Sequence, residues 1–148
     1  MSQLLDQEIQ SQVQDIFNRQ LTESVQILFF GQEEDCQYCQ DTEALLQEIT
    51  ALSDKIELAV YDLAADAEVA RQFNVDKAPG FVIAAKNGDQ IVDYGIRYAG
   101  IPAGHEFSSL LQDLILVSGR DSKLSPKTRD NLIKLNKPIL LQVYVTPT

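Results

Sequence analysis

Apolar residues recur three or four positions apart at Leu5, Ile9, Val13, Ile16 and Phe17, which predicts a helix over about residues 3–20 with one stripe facing a core. The next apolar run, "SVQILFF" (24–30), is short and dense and suits a strand buried on both faces. Helical spacing returns at Thr42, Leu45, Leu46, Ile49 and Leu52 and predicts a helix over about 37–52. "KIELAVYDL" (55–63) reads as a second strand, and "DAEVARQF" (66–73) as a short helix capped by Asp66. "GFVIAAKNGDQIVDYGI" (80–96) is two strands joined at Asn87-Gly88, a two-residue hairpin signal. In "PAGHEFSSLLQDLILVS" (102–118), Phe107, Leu110, Leu111, Leu114 and Ile115 share one side of a helix. Last come a helix in "SPKTRDNLIKL" (125–135), with Ser125 as cap and Pro126 in its first turn, and a buried-type strand in "PILLQVYV" (138–145).

The order is helix, then β-α-β-α-β-β-α, which predicts an α/β fold with a mixed four-stranded sheet and helices on both faces. Right-handed crossovers leave few ways to connect it. Helix then strand over 125–145 repeats the order of residues 3–30. Charge marks the same division: residues 1–118 hold 20 of the 22 acidic and 6 of the 12 basic residues, a net of −14, and residues 119–148 a net of +4. We therefore expect one unit over 1–118, and a linker helix plus the first strand of an incomplete second unit over 119–148. A strand without its own sheet exposes unpaired backbone groups. Residues 138–148 are accordingly expected to pair with another chain, as in a homodimer, or with an edge of the first sheet.

At 148 residues and 45% apolar content the chain can bury a core. A formal charge of −10 argues against nucleic acid. No stretch approaches the ~18 apolar residues of a membrane span. "MSQLLDQEIQ" lacks the basic and apolar regions of a signal peptide. These features lead us to expect a reducing, cytoplasmic setting. There, a close cysteine pair more often means catalysis or metal than a structural staple.

The chain's two cysteines, Cys36 and Cys39, lie two residues apart after the first strand, where open sheets carry their sites. The spacing suits a redox dithiol, half of a zinc site, or two inert core cysteines. A structural zinc needs four ligands, and beyond these cysteines only His105 is of a typical type. His105, in "AGHEF", reads as a packing or capping residue. Pro79, in "VDKAPGFV", stands immediately before the third strand, where a residue without an N–H is tolerated.

"CQYC" after a buried strand and Ala78-Pro79 before a hairpin resemble the thioredoxin fold. More narrowly, with "APGFVI", "GIRYAGIPAGHEF" and "VYVTPT", the chain resembles the amino-terminal part of the glutaredoxin-like protein disulfide oxidoreductases, which carry two thioredoxin-fold units in tandem. The resemblance implies dithiol–disulfide exchange with protein disulfides, needing no cofactor or metal. Cys36 would be the nucleophile, Cys39 the resolving thiol and Pro79 a cis-proline beside them. Gln37, Tyr38, Ala78 and Pro79 would meet the substrate, and a thioredoxin-reductase-like donor could return electrons. The alternative is a redox relay without independent activity, as in the tandem amino-terminal domain of the alkyl hydroperoxide reductase flavoprotein. Thioredoxins carry a buried acid ahead of the cysteines, whereas Ile27 to Phe30 is wholly apolar. Glutaredoxins usually have proline where this chain has Gln37.

A thiol reacts as its thiolate, and a helix amino terminus favours that form. The pattern puts Cys36 at a helix start and Cys39 one turn inside. Local charge opposes this effect: between Gln20 and Asp54 there is no Lys or Arg, but Glu23, Glu33, Glu34, Asp35, Asp41, Glu43 and Glu48 all fall there. We expect a modestly lowered Cys36 pKa and a pair that is reducing or isomerising.

Overall fold

The structure, a computed structural model, describes residues 3–146. Its elements follow the apolar pattern: α1 (Gln7–Gln20), β1 (Val25–Gly31), α2 (Cys39–Thr50), β2 (Ile56–Asp62), α3 (Ala67–Gln72), β3 (Gly80–Asn87), β4 (Gln90–Ala99), α4 (His105–Ser118) and α5 (Pro126–Ile133). The sheet order is β2-β1-β3-β4. β1 runs parallel to β2 and antiparallel to β3, and β3 and β4 form the hairpin. This is the mixed four-stranded sheet of the thioredoxin-like fold.

β1 is central and buried at every position, so both its faces need cover, and each face receives an apolar layer. On one face Val25, Ile27 and Phe29 meet Val13 and Phe17 of α1, Leu45, Leu46 and Ile49 of α2, and Leu110 and Leu114 of α4. On the other, Leu28, Phe30 and Val82 meet Ala70 and Phe73, with Val69 and Val75 of the α3 region packed alongside. Phe30 stacks on Tyr61 there, ring centroids 5.2 Å apart. Truncating a fully buried aromatic such as Phe29 typically costs about 3–5 kcal/mol.

Polar groups set the boundaries that apolar spacing leaves open. α1 begins at Gln7, not near residue 3, because the Asp6 carboxylate caps it by accepting from the Ile9 N–H at 2.8 Å. The preceding Leu4 and Leu5 N–H groups donate instead to the Glu48 carboxylate, both at 2.8 Å. Asp66 stands at the cap position of α3 but makes no side-chain cap; its carboxylate accepts from the Asp62 N–H at 2.8 Å. At the hairpin Asn87 and Gln90 pair across Gly88, whose φ is +62°, and Asp89. β4 carries a bulge at Tyr94 and Gly95, opposite Ile83/Ala84, and runs on to Ala99.

Ser125 caps α5 by accepting from the Thr128 N–H at 3.2 Å, with Pro126 in the first turn. The strand expected over 138–145 is not formed. Leu140, Leu141, Val143 and Tyr144 are at least 80% exposed, and the segment joins no sheet. A strand needs a neighbour for its N–H and C=O groups, and the segment pairs with neither edge strand of the sheet, β2 or β4. Pro147 and Thr148, the end of that expectation, lie outside the described residues. Arg120, just past the expected boundary, holds to the first unit: its guanidinium donates to the Val117, Ser24 and Lys86 carbonyls and to Asn87 Oδ1.

Candidate functional site: a disulfide beside a cis-proline loop

β1 ends at Gly31, and the chain turns through an acidic loop into the cysteines. Gln32 Nε2 donates to the Glu34 carbonyl at 2.7 Å, and Asp35 adopts φ +55° to turn the backbone into Cys36. Cys36 and Cys39 are joined by a disulfide with their Cα atoms 5.5 Å apart. Cys36 is half-buried, Gln37 and Tyr38 between the cysteines are exposed, and Cys39 is 5% exposed. A partner can therefore approach one sulfur and not the other.

The helix begins later than the apolar spacing implies. Cys39, not Cys36, is its first residue, with Tyr38 at the cap position. The Tyr38 carbonyl closes the first turn by accepting both the Thr42 N–H at 2.9 Å and the buried Thr42 hydroxyl at 2.6 Å. Cys36 thus lies ahead of the helix and is brought to its amino-terminal end by the disulfide. At Gly31 the lack of a side chain spares the Phe29 ring rather than Cys39. A Cβ at Gly31 would stand 3.9 Å from the Cys39 Cβ and 3.0 Å from the Phe29 ring.

The second half of the site is the loop before β3. The Ala78–Pro79 peptide is cis. Pairing of Phe30 with Gly80 sets Pro79 one step beyond, beside the end of β1 from which the cysteine loop leaves. Gly80 is required by space, because a Cβ there would collide with the Lys77 carbonyl oxygen. Gly100 donates its N–H to the Pro79 carbonyl at 2.8 Å. Phe81 stacks on Tyr98 with centroids 4.7 Å apart, and the Tyr98 hydroxyl donates to Asp113 at 2.6 Å. Burial, and then the Asp113 carboxylate, push the Tyr98 pKa far above the ordinary phenol value. Lys77 does not reach for the cysteines; it pairs with Asp76 at 2.9 Å, both side chains exposed.

Pro79 is buried, Ala78 half-buried, and Tyr38 47% exposed. His105, the first residue of α4, is exposed and caps nothing. Among the described residues no group of three or more His, Cys, Asp or Glu could hold a metal ion, and no helix is long and apolar enough to cross a membrane. The braces around Pro79 were missed by sequence reasoning. Gly80 and Gly100 gave a faint signal as glycines bordering a strand, and the Tyr98–Asp113 bond gave none.

Comparison with known structures decides the class. The chain superposes on a protein disulfide oxidoreductase from Aeropyrum pernix with a TM-score of 0.75, at 24% identity, over 89% of this chain and 56% of that one. It superposes on the alkylhydroperoxide reductase component AhpF of Enterococcus faecalis with a TM-score of 0.78, at 26% identity, over 91% of this chain and 62% of that one. The chain is a thioredoxin-like unit. This thioredoxin-like unit is 30% identical over 145 residues to an NADH dehydrogenase of Bacillus subtilis, covering 98% of this chain and 25% of the relative. It is 41% identical over 80 residues to the AhpF-type component of alkyl hydroperoxide reductase from Pseudomonas aeruginosa, covering 54% of this chain and 12% of the relative. The chain thus spans a quarter or less of these curated relatives. No protein-family profile matches it.

Proposed function

We propose that this thioredoxin-like unit is an oxidoreductase exchanging its Cys36–Cys39 pair with protein disulfides, working as a reductant or isomerase. The observation that carries the reading is a disulfide with one approachable and one sheltered sulfur, seated beside the Pro79 loop. In the reduced protein the Cys36 thiolate attacks a substrate disulfide. That S–S bond breaks, a mixed disulfide forms at Cys36, and the released sulfur takes a proton. Cys39 then attacks Cys36, the second substrate thiol leaves, and two electrons have passed to the substrate. Gln37 and Tyr38 flank the incoming chain from one side, Ala78 and Pro79 from the other. A thioredoxin-reductase-like flavoprotein would restore the dithiol.

A second reading is favoured by the relatives' lengths: the unit serves as a relay inside a larger reductase, passing electrons to a redox partner. The exposed apolar positions of 138–145 fit either arrangement, packing on a further sheet of the same assembly or on a second copy in a homodimer. Insulin reduction with dithiothreitol separates the readings. The exchange reading requires wild type to precipitate insulin well above background and Cys36→Ser to fall to it. Background activity in both supports the relay.

A further inference from the structure

Among the described residues, the carboxylates around the disulfide have no cationic partners. Glu33, Glu34 and Asp35 lead into Cys36, Asp41 follows Cys39, and all four are exposed. Asp62 and Asp66 lie at the same end of the sheet, where the Leu63 N–H donates to the Gly31 carbonyl at 2.8 Å. The ion pairs of the described chain are Lys77–Asp76, Lys86–Glu57, Arg97–Asp93 and Arg129–Asp121. None engages a carboxylate of residues 33–43. Lys77, two residues before Pro79, is neutralised by Asp76. Glu48 plays no part, because its carboxylate holds the Leu4 and Leu5 N–H groups.

The disulfide fixes where a partner must sit, and the collar fixes the field it meets there. We infer that Glu33, Glu34, Asp35 and Asp41 determine specificity: the pair reacts preferentially with disulfides flanked by Lys or Arg and disfavours anionic ones. The inference rests on the exchange reading above. Opposite charge raises the local concentration of a partner and speeds encounter. Exposed charges are screened within ~8 Å at physiological salt, so only groups close to the substrate's cysteine should count. Tyr38, 47% exposed between the cysteines, adds an apolar surface at the centre of the collar.

Three small disulfides test this on the pre-reduced full chain: cystamine (cationic), bis(2-hydroxyethyl) disulfide (neutral) and dithiodiglycolate (anionic). Single-turnover rates are read as loss of alkylatable thiols by mass. Each is divided by the rate of the same compound with dithiothreitol, a neutral thiol, to remove intrinsic reactivity. The expected order is cationic, neutral, anionic, with about a tenfold span at low ionic strength. The span should shrink to about twofold in ~0.5 M sodium chloride, where screening is a few ångströms. The triple variant Glu33→Gln, Glu34→Gln, Asp35→Asn should compress it in low salt as well. Equal normalised rates for all three compounds in wild type would overturn the inference and leave disulfide exchange standing. Failure to oxidise the Cys36–Cys39 dithiol with any of them would overturn the exchange reading, and the inference with it.

Discussion

Reducing the Cys36–Cys39 bond should lower the stability of this chain by about 1–2 kcal/mol. The cysteines are separated by 3 in sequence; a closed loop of about four residues removes roughly 6 cal/mol/K from the unfolded chain, or ~2 kcal/mol at 25 °C, on the chain-entropy account. The native state meets the link without backbone movement, since a Cα separation of 5.5 Å lies inside the ~4.4–6.8 Å that disulfides span. Opposing this, a Cys36 thiolate at the helix mouth would gain on the order of 0.3–1 kcal/mol in the reduced protein. The unpaired Glu33, Glu34, Asp35 and Asp41 take back part of that gain. The oxidised form should therefore melt about 3–8 °C above the reduced form at this chain length. Circular-dichroism melts at pH 7 measure it, with Cys36→Ser/Cys39→Ser as a control that should melt with the reduced protein. By linkage, the same difference is the amount by which folding favours the disulfide. A reduced form melting higher than the oxidised one would mark a strong oxidant and refute the reasoning.

Other outcomes follow from named bonds. Ser118 Oγ is fully buried, accepts the Thr22 and Glu23 N–H groups at 2.9 and 3.1 Å and donates to the Glu23 carbonyl at 2.7 Å; Ser118→Ala should cost about 2–3 kcal/mol in urea unfolding. Gly80→Ala forces the Pro79 loop off the Lys77 carbonyl and should lower insulin reduction severalfold, while Gly88→Ala at the exposed hairpin tip leaves it unchanged. Arg97 holds the Asp93 carboxyl below its ordinary value, chiefly by hydrogen bonding. That contribution is complete above the unfolded value of ~3.9 and is lost as pH falls through the depressed one, so Asp93→Asn should flatten the acid limb of the stability curve. Tyr98 runs the other way, with its folded pKa raised: stability should decline above ~10, and Tyr98→Phe should blunt that decline.

The central strand and the helices were legible because burial writes itself into spacing. β1 is apolar apart from Gln26 where both faces are covered, and α2 repeats Leu45, Leu46 and Ile49 where only one is. The start of α2 was placed early because apolar period says nothing about where the backbone leaves Tyr38; the Thr42 bonds decide that. The link from Glu48 to Leu4 and Leu5, and that from Ser118 to Thr22 and Glu23, span 43 to 96 residues of sequence, and no local pattern announces them. Residues 138–145 show the converse. The composition is that of a strand, but pairing is a property of two segments, and this one joins no strand of the sheet. At the site, the cysteine spacing and Pro79 were readable, whereas the Gly100 and Tyr98–Asp113 braces depend on β4 returning beside the loop.

Trapping the intermediate tests the central claim most directly. Reduced Cys39→Ser, mixed with a protein disulfide and quenched by alkylation, should retain one covalently bound substrate, with the linkage mapped by mass to Cys36. Reduced Cys36→Ser should trap essentially none, because Cys39 is sheltered. An adduct on neither variant, or equal trapping at Cys39, would contradict the account.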